Sequence, residues 1–281
     1  MNLSIDSPDY FLNRSLPILT QVGVEHLTKK KIAVAGCGGI GGGMALTMCR
    51  LGICSFSLAD PADFDPPDMN RQWGATGSSM GKNKAEVYRE LILDINSEAQ
   101  VQVFNRGLTN DNQDDFLKDA DILVDCLDAS VPYELRETMH QKARALGIFS
   151  VVAPILGFGC FAVCSSPEGM DMQFWTRTFR NAKESNAFPD IFKELFVPEQ
   201  IDVIGQSLQI GKVPTLAVGP VIGSALLATE CVAYLLDGII PGSREPIVLP
   251  KVMFFDLLKM NYQIIDVSEI RSQFEGELVA A

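Results

Sequence analysis

The chain of 281 residues predicts an α/β protein: a doubly wound, mostly parallel sheet with a C-terminal antiparallel extension. Three observations carry that expectation. Short apolar runs alternate with helix-period segments from Lys30 onward. The first of these runs ends in a glycine-rich turn, GCGGIG at Gly36–Gly41. Two late runs, Lys251–Leu258 and Tyr262–Val267, lie close enough in sequence to close as a hairpin. Strands alternating with helices form a parallel sheet through right-handed crossovers, and apolar runs without alternation suit strands buried on both faces. At 47% apolar residues the chain can bury a substantial core as one large domain.

The elements follow in order. Lys30–Gly36 reads as a first strand, Ile40–Leu51 as a helix and Ser55–Asp60 as a second strand. In Lys82–Asn96, residues Val87, Leu91 and Ile95 share one helical face. Ala99–Phe104 alternates as a strand, Ala120–Asp128 contains the next buried strand, and Tyr133–Gly147 is a helix closed by glycine. Ile148–Ile155 and Gly159–Ser165 add two strands. The stretch Glu168–Lys212 mixes charge with Phe174, Trp175, Phe179, Phe188, Phe192 and Phe196 and shows no single period, so it reads as an excursion over the sheet. Such excursions commonly carry substrate contacts. A helix over Val221–Leu236 returns to the core. The expected organisation is an N-terminal helical extension over 1–29 that makes a dimer contact and a nucleotide-binding core over 30–167. The excursion, returning helix and hairpin of the same domain occupy 168–281.

Composition removes several functions. Lys+Arg 23 against Asp+Glu 35 gives a formal net charge of −12 with no basic run, which disfavours nucleic acid as a partner. The acidic N-terminus lacks the basic start of a signal peptide, and the apolar stretch Val213–Thr229 is broken by Pro214, Gly219, Pro220 and Gly223, so a cytoplasmic protein without a membrane partner is expected. The seven cysteines sit mostly in apolar segments, as reduced buried thiols do. With no C-x-x-C pair, and with His26 and His140 far apart, no zinc is expected.

The turn Gly36–Gly41 fits the Rossmann-like G-x-G-x-x-G fingerprint, which lets backbone N–H groups at a helix N-terminus approach a phosphate. It serves NAD as well as ATP, and so does Asp60 at the end of the second strand, where it can meet ribose hydroxyls. The residues that separate the two are Arg71, Lys84 and Asp128, predicted to gather with Asp60 at the C-terminal edge of the sheet. Two cations and a carboxylate able to hold Mg²⁺ make a triphosphate clamp; hydride transfer needs none. An NAD-dependent oxidoreductase and a non-catalytic binding scaffold are the alternatives.

The motifs Asn13-Arg14-Ser15, GCGGIG, Asp60 with Met69-Asn70-Arg71-Gln72, Gly81-Lys82-Asn83-Lys84 and DCLD at Asp125–Asp128 resemble the ThiF/MoeB/HesA superfamily of ATP-dependent adenylating enzymes. The resemblance implies phosphate contacts from the turn containing Gly36, Gly38, Gly39 and Gly41, and a ribose contact from Asp60. Asn70, Arg71 and Gln72 would hold phosphates, Lys84 would grip the β/γ end, and Asp128 would bind Mg²⁺, with Asp125 in reserve. Arg14 would enter the neighbouring subunit's site in a homodimer. The implied reaction is attack of a substrate carboxylate on the α-phosphorus of ATP. That carboxylate belongs to a ubiquitin-like C-terminus, a peptide or a small acid, and it is ionised at neutral pH, so no histidine base is required.

The sequence departs from the pattern in several places. Ala62 takes the second acidic position of the usual DxD, where Asp63 or Asp65 is the expected substitute, and Asp68 stands where asparagine is common. No cysteine lies between Ser165 and Val213, so no enzyme thioester is expected, and Cys160 and Cys164 are read as core residues on one strand face.

Overall fold

The computed structural model describes residues 10–128, 130–185 and 214–268, with the single positions 195, 203 and 206. Along the chain run α1 (Leu16–Leu27), β1 (Lys31–Ala35), α2 (Gly39–Arg50), β2 (Ser55–Ala59), α3 (Lys84–Ile95), β3 (Gln100–Phe104), α4 (Gln113–Leu117) and β4 (Ile122–Asp125). They are followed by α5 (Tyr133–Ala145), β5 (Phe149–Val152), β6 (Ile155–Leu156), β7 (Gly159–Ser165), α6 (Met172–Ser185), α7 (Val218–Leu235), β8 (Lys251–Asp256) and β9 (Asn261–Asp266). The sheet order is β3-β2-β1-β4-β5-β7-β8-β9, with β6 paired to β7. Strands β1 to β5 are parallel; β7, β8 and β9 are antiparallel. The mostly parallel sheet with an antiparallel C-terminal extension is therefore as the sequence predicts.

Alternation along the central strand explains the two packed faces. Ile32 and Val34 join a cluster with Met44 and Met48 of α2, Tyr88 of α3 and Leu227 of α7, while Ala33 and Ala35 turn to Phe116 of α4 and Met139 of α5. Helix α7 is long and apolar enough to cross a membrane by composition, but here Gly223, Ser224, Leu227 and Cys231 are buried, and Ser224 Oγ donates to Ile40 O of α2 at 3.2 Å. Its Glu230, buried mid-helix, pairs with Arg244 and accepts the Ile247 N–H at 2.7 Å, which fastens the connection to β8.

Differences from the expected elements have local causes. The run Ile148–Ile155 is two strands, because the pairing of β5 with β7 ends at Val152, and Pro154, beyond it, offers only its carbonyl, to Phe161 N–H. The excursion contains α6, where Met172, Trp175 and Phe179 fall at i, i+3 and i+7 and Met172, Gln173, Trp175 and Thr176 are buried. Phe188, Phe192 and Phe196 lie outside the described residues.

Order reverses between β1 and β4: from β1 the chain winds outward through β2 and β3, then returns to β4 on the other side. Ala35 is thereby aligned with both Ala59 and Asp125. A crevice at such a reversal, beyond the C-terminal ends of parallel strands, is where open α/β sheets bind ligands.

Candidate functional site

The glycine-rich turn is shaped by close approaches. Gly36 has φ +91°, and a Cβ there would lie 2.3 Å from Cys126 O; a Cβ on Gly41 would lie 1.8 Å from Gly36 O. Gly39 is pressed by Pro220 of α7, whose Cγ would stand 2.9 Å from a side chain at that position. Gly38 faces the open side, where a Cβ would meet nothing nearer than Gln72 Nε2 at 3.8 Å. It is also the N-cap of α2 and contributes no side-chain acceptor, so the first N–H groups of that helix keep their affinity for an anion.

Asp60 ties this turn to the β2 end. One carboxylate oxygen accepts the Cys37 N–H at 2.7 Å and the other the Ala62 N–H at 2.9 Å. Burial raises its pKa, against the opposing pull of those two hydrogen bonds and Lys84. Asn83 caps α3 by accepting the Glu86 N–H and donates to Asp60 O at 2.9 Å, which sets Lys84 at the first position of that helix, beside Asp60's strand.

Between β2 and α3 a single-turn 3₁₀ helix, Pro66–Asn70, carries a reciprocal cap between Asp65 and Asp68. Asp68 is 5% exposed, and the side chains expected to bind phosphates converge on it. Lys84 Nζ lies 2.9 Å from Asp68 Oδ2, Gln72 Nε2 donates a short hydrogen bond to Oδ1, and an Arg71 nitrogen is 3.6 Å away. Arg71 also donates to Asn70 Oδ1 at 2.9 Å, which brings Asn70 into the same group. Burial pushes the Asp68 carboxyl up, but Lys84 and the Asp65 N–H outweigh it and hold the group below the usual carboxylate range. Gln72 Oε1 is buried with no hydrogen-bond partner among the described residues, an acceptor left over at the wall of the glycine turn.

The β4 edge has a different construction. Asp125, the last residue of β4, is 1% exposed and accepts from Leu127 N–H at 3.1 Å and His140 Nε2 at 2.8 Å, with Arg136 Nε at 3.2 Å. Burial alone would raise its pKa; Arg136 and His140 reverse the direction and lower it. Asp125 thus faces inward, its carboxylate shared between His140, Arg136 and the Leu127 N–H. Arg136 also donates to the carbonyls of Leu127 and Asp128, holding the loop on which Asp128 stands exposed. Sequence reasoning missed Arg136 and His140; their i, i+4 spacing on α5 is the signal that places both on the face turned to β4.

Arg14 is not brought to this group of residues. It is exposed just before α1, and Leu12 packs against Gly52, beyond the C-terminal end of α2. The 12 residues of α2 separate that end from the glycine turn by about 18 Å. Cys160 and Cys164 are fully buried on one face of β7, and burial pushes the Cys160 thiol up to about 12 and Cys164 well above its usual value. Both are packing residues in this fold.

The sheet reversal of this α/β protein thus carries an open helix N-terminus with an Arg/Gln/Lys cluster beside it. The ThiF family model matches residues 11–275, and the chain belongs to the ThiF family. It is 30% identical over 117 residues to heterocyst protein HesA of Trichormus variabilis, a match covering 42% of this chain and 44% of the relative. Over 231 residues it is 30% identical to the adenylyltransferase and sulfurtransferase MOCS3 of Culex quinquefasciatus, covering 80% of this chain and 47% of that protein. The chain thus spans less than half the length of either. Escherichia coli MccB, solved with ATP, shares the fold with a TM-score of 0.61 at 20% identity, covering 86% of this chain and 65% of MccB.

Proposed function

We propose that the chain is an Mg²⁺- and ATP-dependent adenylyltransferase that activates a substrate carboxylate as an acyl-adenylate and passes it to an external nucleophile. The observation that carries this is the gathering of Arg71, Gln72 and Lys84 at the open side of the glycine turn. The residues fit the nucleotide's phosphates: the Gly38 side of the turn is open and two cations stand beside it. The relatives' names, which include adenylyltransferases, support the same reading.

In this reaction a carboxylate oxygen bonds to the α-phosphorus, the bond from that phosphorus to the bridging oxygen breaks, and pyrophosphate leaves with the electron pair. The attacking group is already an anion, so the protein need not remove a proton. Its work is to orient the phosphates with the α2 N–H groups and to neutralise the charge gathering on the leaving pyrophosphate with Arg71 and Lys84, while Gln72 holds the Asp68 carboxylate beside them. Asp60 would meet the ribose, and exposed Asp128 would hold Mg²⁺, which when bound adds positive charge at the phosphates. The substrate is a ubiquitin-like C-terminus, a peptide or a small acid, and no enzyme thioester intervenes, because the excursion carries no cysteine. The working unit is a cytoplasmic homodimer in which Arg14 serves the other subunit's site; the distance of Arg14 from its own glycine turn supports this.

The test is thermal unfolding with Mg·ATP, AMP and NAD side by side, together with exchange of labelled pyrophosphate into ATP when candidate carboxylates are supplied. Mg·ATP should stabilise the protein most, and Asp128→Asn should abolish exchange while the variant stays folded. Stabilisation by NAD and not by ATP would reject the adenylation reading.

A further inference from the structure

Among the described residues, Asp68 is the acidic side chain that ion-pairs directly with the cations expected to hold the triphosphate. Its capping duty, accepting the Asp65 N–H at 3.3 Å, uses one lone pair of Oδ2 and could be met by any small side chain with an oxygen acceptor. The cap does not account for the remaining contacts. Oδ2 also takes Lys84 at 2.9 Å, Oδ1 takes Gln72, and Arg71 lies 3.6 Å away. A carboxylate so little exposed is sustained only by such partners, and those partners are ordered by it in return. Among these three ionised groups the formal charge is +1, where a neutral residue at the same position would leave +2.

We infer that Asp68 is an internal counter-charge to the phosphate clamp. In the empty site it holds Lys84, Gln72 and Arg71 in position; in the filled site its charge weakens their grip on the β- and γ-phosphates and hastens release of pyrophosphate. This makes it a residue that sets affinity and reversibility. It rests on the adenylation reading only in taking Arg71 and Lys84 as phosphate ligands. Pyrophosphate, concentrating its negative charge beside Asp68, should feel the effect more than AMP, which has no phosphate at the clamp.

Titration calorimetry with inorganic pyrophosphate, Mg·ATP and AMP, on the wild-type protein, Asp68→Asn and Asp68→Ser, tests the inference. Both variants retain an acceptor for the Asp65 N–H. They should bind pyrophosphate on the order of ten-fold more tightly than wild type, with AMP unchanged, the size expected when one charge is removed a few ångströms from an anion in a partly screened site. Wild-type binding of Mg·ATP with equal or weaker pyrophosphate binding by folded variants overturns the counter-charge and leaves the adenylation reading standing. Failure of the wild-type protein to bind either phosphate compound overturns both. If neither variant folds, a wild-type crystal soaked in pyrophosphate decides: the anion must contact Lys84 with the Asp68 carboxylate alongside, and an anion seated away from Lys84 overturns the inference.

Discussion

The connections that follow β2 and β4 each bury a carboxylate between two basic side chains, and they differ in what those side chains face. Asp68 draws Arg71 and Lys84 to the wall of the glycine turn, with Gln72 and its unused oxygen beside them. Asp125 draws Arg136 and His140 inward against the end of β4, and Arg136 directs its Nη2 to the backbone carbonyls of Leu127 and Asp128. The first group stands at the open side of the turn; in the second, His140 is buried and Arg136 nearly so. A buried ion pair is therefore no marker of a site by itself. What marks one is an opening that presents the charged groups to a ligand.

If that contrast holds, substitutions should separate stability from ligand binding. The largest loss of stability belongs to Asp125→Ala, about 3–5 kcal/mol by urea unfolding, because Arg136 is left charged and buried without its partner. The contribution of Asp125 also carries a sign in pH. Its folded pKa is lowered, so the stabilisation is present above the ordinary carboxylate value of about 3.9 and drains away as pH falls below it; wild type should lose stability more steeply there than Asp125→Ala. Next comes Lys84→Met, which should cost about 1–2 kcal/mol, since Asp68 keeps Gln72 and Arg71, yet should erase stabilisation by Mg·ATP entirely. A comparable loss of ATP response in Asp125→Ala protein still folded at low temperature would break the division between the two regions. The smallest effect is Gly38→Ala: its methyl would meet nothing closer than 3.8 Å, so unfolding should shift by under about 1 kcal/mol while ATP affinity falls.

The parallel strands were legible because β1 and β4 are buried on both faces and written as apolar runs, Ile32–Ala35 and Ile122–Val124, while β2 buries Phe56, Leu58 and Ala59 around Ser57. The glycine turn was legible because its close approaches admit no side chain at Gly36 or Gly41. Short α4 was not, since five residues beginning Gln113-Asp114-Asp115 carry no periodic signal. The conversion of Asp68 from a mere departure at an asparagine position into the hub of the clamp needed coordinates: it depends on a 3₁₀ turn that brings Arg71 and Gln72 back over it and on α3 starting at Lys84. Arg136 and His140 read as an ordinary polar helix face, because the partner that gives them meaning lies on another strand.

The turn at Gly36 leans on the Cys126 carbonyl, and β1 pairs with β4 from Ile32–Ile122 to Ala35–Asp125, far along the chain. During synthesis the glycine motif, Arg71 and Lys84 therefore emerge well before the strand that shapes the turn. A nascent or truncated chain ending ahead of β4 holds every phosphate-facing side chain and still lacks the floor that supports them. Competence to bind arrives only with a distant, slowly formed pairing, and a bound nucleotide then draws the folding equilibrium toward the finished sheet and away from its partly built precursors.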